Sequence, residues 1–364
     1  MASIEISESN LAASLAERTL GLIDIASESG RERDVTAHLL SVLRDGRVPA
    51  RDAGDSCVIA GASSRRELPF VLLAGHLDTV PAQHNWPGRI DGEHVFGLGA
   101  SDMKGGVAVM LELALSRASG AFDGACDIGY LFFGREELAS SESALAPLLA
   151  REAGLREADL AIMLEPTSNV VQAGCLGNLD ATWTFAGRAG HSARPWLAEN
   201  AIDRAIDGVR ALHSIEPLRS TIDRLDFTQV VSATTLHAGL ARNVIPGSAV
   251  ANVNFRYAPA TSAERAERQL REWCEPYGEL EIVSNSPGAL PPHANPLLDR
   301  LLEITGAAAE PKQAWTPVAE FAAAGIEAVN LGPGDPAFAH RADERISLAA
   351  LARCHEILRS FSCA

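Results

Sequence analysis

The first 165 residues alternate between two hydrophobic patterns. Apolar positions at helical spacing predict helices over residues 8–27, 32–45, 105–118 and 139–152. Short continuous apolar runs between them predict buried strands over residues 70–75, 127–133 and 159–164. Strands that alternate with helices are typical of a mostly parallel sheet covered by helices on both faces. This part of the chain is therefore predicted to be an α/β domain.

The pattern then changes to polar–apolar alternation, which is typical of half-buried antiparallel strands. Such strands are predicted over residues 179–187, 227–235 and 248–257, with helices over 198–214 and 262–276. The α/β pattern returns with helix 293–306, strand 326–331 and helix 346–361. We therefore predict a discontinuous α/β domain, residues 1–176 and 289–364, and an inserted α+β domain, residues 177–288. Hinges are predicted at residues 174–177 and 284–288.

Composition and charge restrict the possible partners. The 364 residues are 47% hydrophobic and 21% charged, as in an ordinary globular protein, and the net charge is −16. This charge argues against a nucleic-acid or anionic-membrane partner. The N-terminal residues lack the features of a signal peptide, and no apolar stretch reaches membrane-spanning length. We therefore expect a cytoplasmic protein that binds neither membrane nor nucleic acid.

Acidic residues and histidines recur where the predicted buried strands end or where a glycine-rich loop precedes a helix. They are His76, Asp78, Asp102, Glu136, Glu137, Glu165 and His340. Ligands of parallel sheets collect at the carboxyl ends of the strands. Charged groups at such places are costly unless something pairs them, and a divalent metal does so. Two histidines and three carboxylates suit zinc, and a further carboxylate beside a ligand suits a general base.

Each of these features has a structural explanation when taken alone. A single histidine at a strand end is more often structural than a metal ligand, and a Glu-Glu pair is usually solvated surface. The sequence Gly-Pro-Gly at residues 332–334 usually marks only a turn. Taken together they favour a metal site, because the structural explanation must hold separately at every position. Asp78 is suited to accept the ring proton of His76, and Asp102 is suited to bridge two ions.

Seven motifs, in order along the chain, resemble the acetylornithine deacetylase / succinyl-diaminopimelate desuccinylase family of di-zinc amidohydrolases. They are residues 75–81, 99–106, 136–137, 165–166, 190–193, 243–246 and 332–334, the last followed by Ala339 and His340. Within the family the motifs are most similar to the desuccinylases. The resemblance implies a di-zinc exopeptidase-like α/β catalytic domain, with the inserted α+β domain as a lid that also forms a homodimer.

The resemblance also implies metal and catalytic roles. His76 and Glu165 are expected to hold one Zn²⁺, Glu137 and His340 the other, and Asp102 to bridge them. Co²⁺ or Mn²⁺ is the alternative ion in one site. Asp78 is expected to support His76, and Glu136 to act as general base and then general acid. His191 is expected to reach the active site of the partner subunit and stabilise the tetrahedral oxyanion.

Four residues are implied to bind the substrate: Asn243, Arg256, Thr316 and Gly332. Arg256 is expected to hold a substrate carboxylate as a fork. Two alternatives remain open, since Asn243 can simply set a turn before Pro246 and Arg256 can form a surface ion pair.

The sequence departs from the family at two places. Arg135 stands where an acidic residue commonly precedes the glutamate pair, and a nearby cation is expected to lower the pKa of Glu136. Pro317 and Glu320 stand where desuccinylases present an aspartate and an arginine near the substrate. Unless these two residues face solvent, the added negative charge opposes a distal substrate carboxylate. We therefore expect that the best substrate is not N-succinyl-L,L-diaminopimelate.

The sequence thus predicts a zinc-dependent amidohydrolase that removes an N-acyl group, first of all succinyl, from an amino-acid amine. One alternative is a pathway-specific N-acyl-amino-acid deacylase or a dipeptidase of specialised metabolism. Another is a zinc-binding scaffold without turnover, against which the complete set of metal and base residues counts.

Overall fold

The structure, a computed structural model, describes residues 8–61, 67–122 and 124–363. These residues group into two compact units. Unit 1 comprises the described residues within Met1–Ala173, Pro291–Glu310 and Thr316–Ala364, and unit 2 comprises Gly174–Leu290 and Pro311–Trp315. The predicted domain boundaries differ from this division by a few residues, and the hydrophobic pattern gave no sign that Pro311–Trp315 belongs to unit 2. The roles of the two units as catalytic and lid domains stay predictions.

The helices and strands of the described residues are numbered in chain order. The helices are α1 Glu8–Ile23, α2 Arg33–Asp45, α3 Gly105–Ala118, α4 Leu145–Arg151, α5 Ala201–His213, α6 Ala263–Cys274, α7 Pro296–Thr305, α8 Val318–Ala323 and α9 Leu348–Cys363. The strands are β1 Ala50–Gly54, β2 Cys57–Ala60, β3 Phe70–His76, β4 Arg89–Asp91, β5 His94–Phe96, β6 Asp127–Phe133, β7 Leu160–Met163, β8 Gln172–Ala173, β9 Gly177–Ala186, β10 Gly190–His191, β11 Leu218–Ile222, β12 Leu225–Ala238, β13 Val244–Ile245, β14 Ser248–Tyr257, β15 Glu279–Ser286, β16 Glu310–Pro311, β17 Ala328–Asn330 and β18 Arg345–Ser347. Across the described ranges, no helix combines the length and the apolarity needed to cross a membrane.

Unit 1 is built on an eight-stranded sheet with the order β1-β2-β6-β3-β7-β17-β8-β16. Its four central strands, β6, β3, β7 and β17, run parallel, and antiparallel strands flank them. The predicted α/β fold with a mostly parallel sheet is confirmed. The register pairs His76 with Phe133, and Ala74 with Met163, so the carboxyl ends of the central strands lie side by side.

Apart from His76, Asp127 and Asn330, the residues of the central strands are apolar, as expected for strands buried on both faces. All seven residues of β6 are buried, and so are six of the seven residues of β3. On one face α3 lies so close to β3 that a Cβ on Gly75 would come 3.1 Å from Met110 Sδ. Helix α8 packs against β7 and β17, and α4 packs against α8.

Two local predictions were wrong. The helix predicted over residues 139–152 begins only at Leu145, because Ser140–Glu142 form a separate 3₁₀ turn. Ser143 Oγ accepts a hydrogen bond from Leu145 N–H at the start of this helix. The hinge predicted at residues 284–288 lies partly within β15, where Ser286 pairs with Asn178 of β9. Pairing with a neighbouring strand therefore overrides the turn-forming composition of this segment.

Unit 2 contains an antiparallel sheet with the order β11-β12-β14-β9-β15. Buried and partly exposed residues alternate along β9 and β14, as the sequence predicted. The core includes Trp183 and Phe255, and residues of α5 and α6 such as Ala205 and Leu270 pack in the same cluster. A separate two-stranded ladder joins β10 to β13.

Candidate metal centre

The strand ends of unit 1 bring the acidic residues and histidines together. His76 is the last residue of β3, the Glu136–Glu137 pair follows β6, and Glu165 follows β7. Because these three strands are parallel neighbours, their ends meet at one edge of the sheet. Asp102 has non-helical backbone angles and joins them from residues 97–104 directly before α3, here called the Asp102 loop. His340 joins them from the loop between β17 and β18.

Asp102 turns its two carboxylate oxygens toward different histidines. Oδ1 lies 3.1 Å from His76 Nε2, and Oδ2 lies 3.4 Å from His340 Nε2. Each histidine has a second carboxylate neighbour: Glu165 Oε1 is 3.8 Å from His76 Nε2, and Glu137 Oε1 is 3.0 Å from His340 Nε2. Ligand atoms about 2.1 Å from a tetrahedral zinc lie about 3.4 Å from one another. The spacing therefore fits two ions that share Asp102.

The types of ligand atom present also fit a metal centre. Potential ligand atoms of His76, Asp102 and Glu137 lie within 4.8 Å of one another, and so do those of His76, Glu136 and Glu165. Imidazole and carboxylate groups are ligands that zinc accepts. Carboxylates crowded at a buried strand edge repel one another unless a cation neutralises them. The residues present therefore fit a centre for two divalent cations.

The histidines bind protons strongly in this acidic surrounding. Hydrogen bonds to Asp102 and Glu137 raise the pKa of His340 to about 10, in spite of its partial burial. Burial alone lowers the pKa of His76, but hydrogen bonds to Asp102 and Asp78 outweigh burial and raise that pKa well above its usual value. A proton on these rings takes the place that a metal cation would take, so metal binding has to release protons.

Asp78 supports the site in a way that the sequence did not indicate. The acceptor nearest to His76 Nδ1 is the backbone carbonyl oxygen of Asp78, at 3.0 Å, whereas the carboxylate Oδ1 is 3.6 Å away. The carboxylate instead accepts the backbone N–H groups of Glu136 and Glu137 at 3.0 and 3.1 Å, and the hydroxyl of Ser29 at 2.7 Å. Burial raises the pKa of Asp78, but these donors and the His76 ring outweigh it and keep the pKa below its usual range. Asp78 thus fixes the backbone that presents the glutamate pair.

The expected influence of Arg135 on Glu136 was wrong. Arg135 donates two hydrogen bonds to the Asp55 carboxylate, at 2.8 and 2.7 Å, and its Nε donates to the carbonyl of Glu142. Its charge is therefore paired with Asp55 in the turn between β1 and β2. The pKa of Glu136 is raised well above its usual value, first by burial and then by the nearby charge of Glu165.

Two candidate residues of unit 2 lie beside each other. His191 pairs with Val244 in the β10–β13 ladder, and the backbone carbonyl of Asn243 accepts the N–H of Ser192 at 3.0 Å. His191 is exposed, and its Nδ1 accepts the N–H of Ala193 at 3.1 Å. A neutral His191 ring with this bond carries its proton on Nε2, so Nε2 is the atom available to donate.

Arg256 lies on β14, on the face of that strand opposite the buried residues. Its Nε donates to Asn254 Oδ1 at 2.8 Å. Burial lowers the pKa of this guanidinium from its ordinary value. Binding of a substrate carboxylate by Arg256 stays a prediction.

Gly332 and Thr316 are both buried. The N–H of Gly332 donates to Thr167 Oγ1 at 3.0 Å, and its carbonyl accepts the N–H of Asn169 at 2.9 Å. A Cβ at position 332 would lie 2.4 Å from the carbonyl oxygen of Glu165, so only glycine allows this close approach. Thr316 precedes α8, and its carbonyl accepts the N–H of Ala319. Substrate binding by either residue stays a prediction.

The alternative in which Glu320 faces solvent was wrong, since Glu320 is 9% exposed. Its Oε2 accepts a hydrogen bond from Ser143 Oγ at 3.0 Å. Burial raises its pKa to about 7, although the bond to Ser143 lowers it. Pro317 is buried as well. A buried and partly protonated carboxyl at position 320 therefore gives little support to the argument against N-succinyl-L,L-diaminopimelate as substrate, which stays a prediction.

Sequence reasoning missed Glu344, which lies in the loop after His340. The residue is only 2% exposed, and its carboxylate accepts the backbone N–H groups of Gly99, Ser101 and Asp102 at 2.9, 3.0 and 3.0 Å. Burial raises the pKa of Glu344 to about 7, and the three hydrogen bonds oppose this rise. A glutamate in the charged segment 341–345 resembles solvated surface, so no local signal could have found it.

Comparison with known proteins agrees with this geometry. The chain is 35% identical over 347 residues to a putative succinyl-diaminopimelate desuccinylase of Mycobacterium tuberculosis, covering 95% of this chain and 97% of that protein. It is 32% identical to a succinyl-diaminopimelate desuccinylase of Corynebacterium glutamicum, covering 94% of each chain. It is 31% identical to an N-acetyl-L-citrulline deacetylase of Xanthomonas campestris, covering 90% of this chain and 89% of that protein.

Solved structures share the fold at low identity. A tripeptidase of Staphylococcus aureus superposes with a TM-score of 0.77 at 17% identity, covering 96% of this chain and 97% of that chain. A dinuclear metal binding peptidase of the M20 family from Bacillus subtilis gives a TM-score of 0.68 at 17% identity, covering 97% and 98%. Residues 72–363 match the peptidase family M20/M25/M40. The chain is a metal-dependent amide hydrolase and belongs to peptidase family M20/M25/M40.

Proposed function

We propose that this protein uses two Zn²⁺ ions to hydrolyse the amide of an N-acyl amino acid, with N-succinyl compounds as the first candidates. The observation that carries the proposal is the orientation of Asp102, whose two oxygens face different histidines. In this reading His76 and Glu165 would hold one ion, Glu137 and His340 the other, and Asp102 would bridge them. When bound, the ions supply Lewis-acid polarisation of the amide carbonyl and lower the pKa of water.

Glu136 is the proposed proton carrier. Its side chain reaches the same region as His76 and Glu165, and its raised pKa suits a group that both takes and returns a proton. Glu136 would take a proton from the attacking water and deliver it to the amide nitrogen as the C–N bond breaks. The products are the carboxylate of the acyl group and the free amine of the amino acid.

His191 is the proposed donor to the oxyanion that forms at the amide carbonyl. The bond from Ala193 N–H to Nδ1 leaves Nε2–H to donate, which is the form this task needs. In the proposed homodimer His191 would serve the active site of the partner subunit. Asn243 lies beside it and would contribute on the same side.

The names of the relatives support the choice of acyl group. The two relatives named as succinyl-diaminopimelate desuccinylases match the chain over 94% or more of its length. The relative named as an N-acetyl-L-citrulline deacetylase is 31% identical over 90% of the chain. We therefore place N-succinyl-L,L-diaminopimelate first among the substrates and keep other N-acyl amino acids as the second candidate. Arg256 would hold a substrate carboxylate, and Thr316 and Gly332 would line the substrate site.

A substrate comparison tests this function. Zinc-loaded protein is assayed for kcat/KM with N-succinyl-L,L-diaminopimelate, N-acetyl amino acids and dipeptides, with Glu136→Gln as the matched control for contaminating hydrolases. The expected result is the highest kcat/KM for the succinyl substrate and loss of that activity in the control. Preference for an acetyl substrate or a dipeptide would favour a specialised deacylase or a dipeptidase. No turnover of any of them would favour a zinc-binding scaffold.

We propose further that the protein is a homodimer joined through unit 2. β11 pairs with β12 only at Leu225–Gln229, and across the described ranges no other strand pairs with that edge of β12. Leu236 on the remaining part of β12 is 46% exposed, and Leu240 just after it is 93% exposed. An unpaired strand edge with exposed leucines is a template for pairing with a second chain.

The dimer is tested by sedimentation of Leu236→Asp. The introduced carboxylate would replace an apolar contact between the paired edges with a charge, so we expect a shift from dimer to monomer. Val283→Asp is the matched control, because Val283 is an exposed aliphatic residue, 64% exposed, on the opposite edge strand β15. A wild-type monomer, or a dimer that Leu236→Asp leaves intact, would exclude this edge of β12 as the dimer interface.

A cytoplasmic location is part of the same proposal, and cell fractionation tests it.

A further inference from the structure

A buried carboxylate links two segments that each supply a residue of the metal centre. Glu344 lies four residues after His340, and it contacts the loop that ends in Asp102. Its Oε1 accepts the N–H groups of Ser101 and Asp102, and its Oε2 accepts the N–H of Gly99. These three hydrogen bonds fix the backbone at and before Asp102.

Two more hydrogen bonds join the same segments. The backbone carbonyl of Glu344 accepts the N–H of Gly97 at 3.1 Å, and Ser101 Oγ donates to the carbonyl of Asp335 at 2.8 Å. The loop that carries His340 is therefore tied to the Asp102 loop on both sides of the histidine. His340 itself is exposed, so its position depends on these ties more than on packing.

We propose that Glu344 is a positioning residue that holds Asp102 and His340 at the relative positions that metal binding needs. This inference rests on the proposed metal centre. Asp102 can serve two ions only if each of its oxygens keeps its direction. A loop that precedes a helix by a few residues has several backbone N–H groups without helical partners. Glu344 satisfies three of them and so leaves the loop a single backbone arrangement. Groups that orient metal ligands in this way commonly change metal affinity by about 10–100-fold when they are replaced.

The test replaces Glu344 by glutamine. Glutamine offers one acceptor oxygen and an NH₂ group, so at least one of the three backbone N–H groups would face a donor. We expect the dissociation constant of one or both Zn²⁺ ions to rise by about 10–100-fold in titrations of metal-free protein against a competing chelator. The visible spectrum of the Co²⁺-loaded protein should change as well, because Asp102 shifts relative to the ions.

Glu320→Gln is the matched control. It also exchanges a buried glutamate of unit 1 for glutamine, but Glu320 contacts Ser143 and not the Asp102 loop. Its Zn²⁺ affinities and Co²⁺ spectrum should equal those of the wild type. If Glu344→Gln does not fold, Glu344→Asp replaces it, since the shorter side chain keeps the charge but cannot reach all three N–H groups together. We expect weakened Zn²⁺ binding in this variant too.

The outcomes separate this inference from the proposed function. Folded Glu344 variants with wild-type affinities and spectrum would overturn the positioning role. Equally weakened Zn²⁺ binding in Glu320→Gln would overturn it too, because exchange of any buried glutamate for glutamine would then have the same effect. Wild-type protein that binds fewer than two ions would instead overturn the metal centre itself. Absence of hydrolysis, with two ions bound, concerns only the proposed function.

Discussion

Glu320 gives the fold an acid whose protonation is coupled to stability. The carboxyl projects from α8, is buried against Ser143, and its pKa is raised from 4.5 to about 7. In the unfolded chain the group ionises near pH 4.5, whereas in the folded chain it stays protonated until about pH 7. Its contribution to stability is therefore fully present below pH 4.5 and is lost as the pH rises through 7. A difference of about 2.5 pKa units corresponds to about 3 kcal/mol.

The perturbation that removes this dependence is Glu320→Gln. The amide has nearly the same shape, stays neutral at every pH, and its oxygen can still accept the hydrogen bond from Ser143 Oγ. We expect the free energy of unfolding of the variant to rise relative to the wild type by about 2 to 3 kcal/mol between pH 5 and pH 8. Most of the change should occur between pH 5 and pH 7.

The assay is urea-induced unfolding of both proteins at a series of pH values, with identical metal loading. Comparison at each pH cancels the titration of all other groups. Glu281→Gln serves as control, since it makes the same exchange at an exposed carboxylate on β15. A constant difference between wild type and Glu320→Gln from pH 5 to pH 8 would refute the reasoning. The reasoning would also be refuted if the free energy of unfolding of the wild type rose relative to that of Glu320→Gln with increasing pH.

The metal centre yields the remaining predictions. Metal analysis of fully loaded protein should give two divalent ions per chain, and a value of one would remove the bridging role of Asp102. Glu136→Gln should bind metal almost as the wild type does but lower kcat by about 10²–10⁴-fold, and wild-type turnover would contradict the assignment of the base. Glu137→Gln should instead weaken one ion, measured by titration, because it removes a ligand charge beside His340. Mixed His191→Ala and Glu136→Gln chains should recover part of the activity, since one hybrid site would hold both intact residues. No recovery in spite of proven subunit exchange would place His191 elsewhere.

The residues of the candidate metal centre could be predicted from the sequence because local patterns suffice for them. A buried parallel strand needs a continuous apolar run, and such a run ends where charged residues begin. His76, Glu136, Glu137 and Glu165 each follow a run of this kind, and parallel strands bring their carboxyl ends to one edge. The order of the strands was not needed for this conclusion. The alternation along β9 and β14 identified the sheet of unit 2 in the same way.

Only the tertiary structure decided what the charged residues outside these patterns do. Arg135 and Glu344 belong to charged segments whose composition is typical of solvated surface, and Glu320 is a single charged residue in the apolar helix α8. The structure pairs Arg135 with Asp55, buries Glu320 against Ser143, and directs Glu344 to the backbone before α3. These partners are distant in the sequence, and burial of a charged side chain depends on which elements cover it. Hydrophobic periodicity reports which face of an element is buried, but it does not report where a long polar side chain on a loop will find its hydrogen bonds.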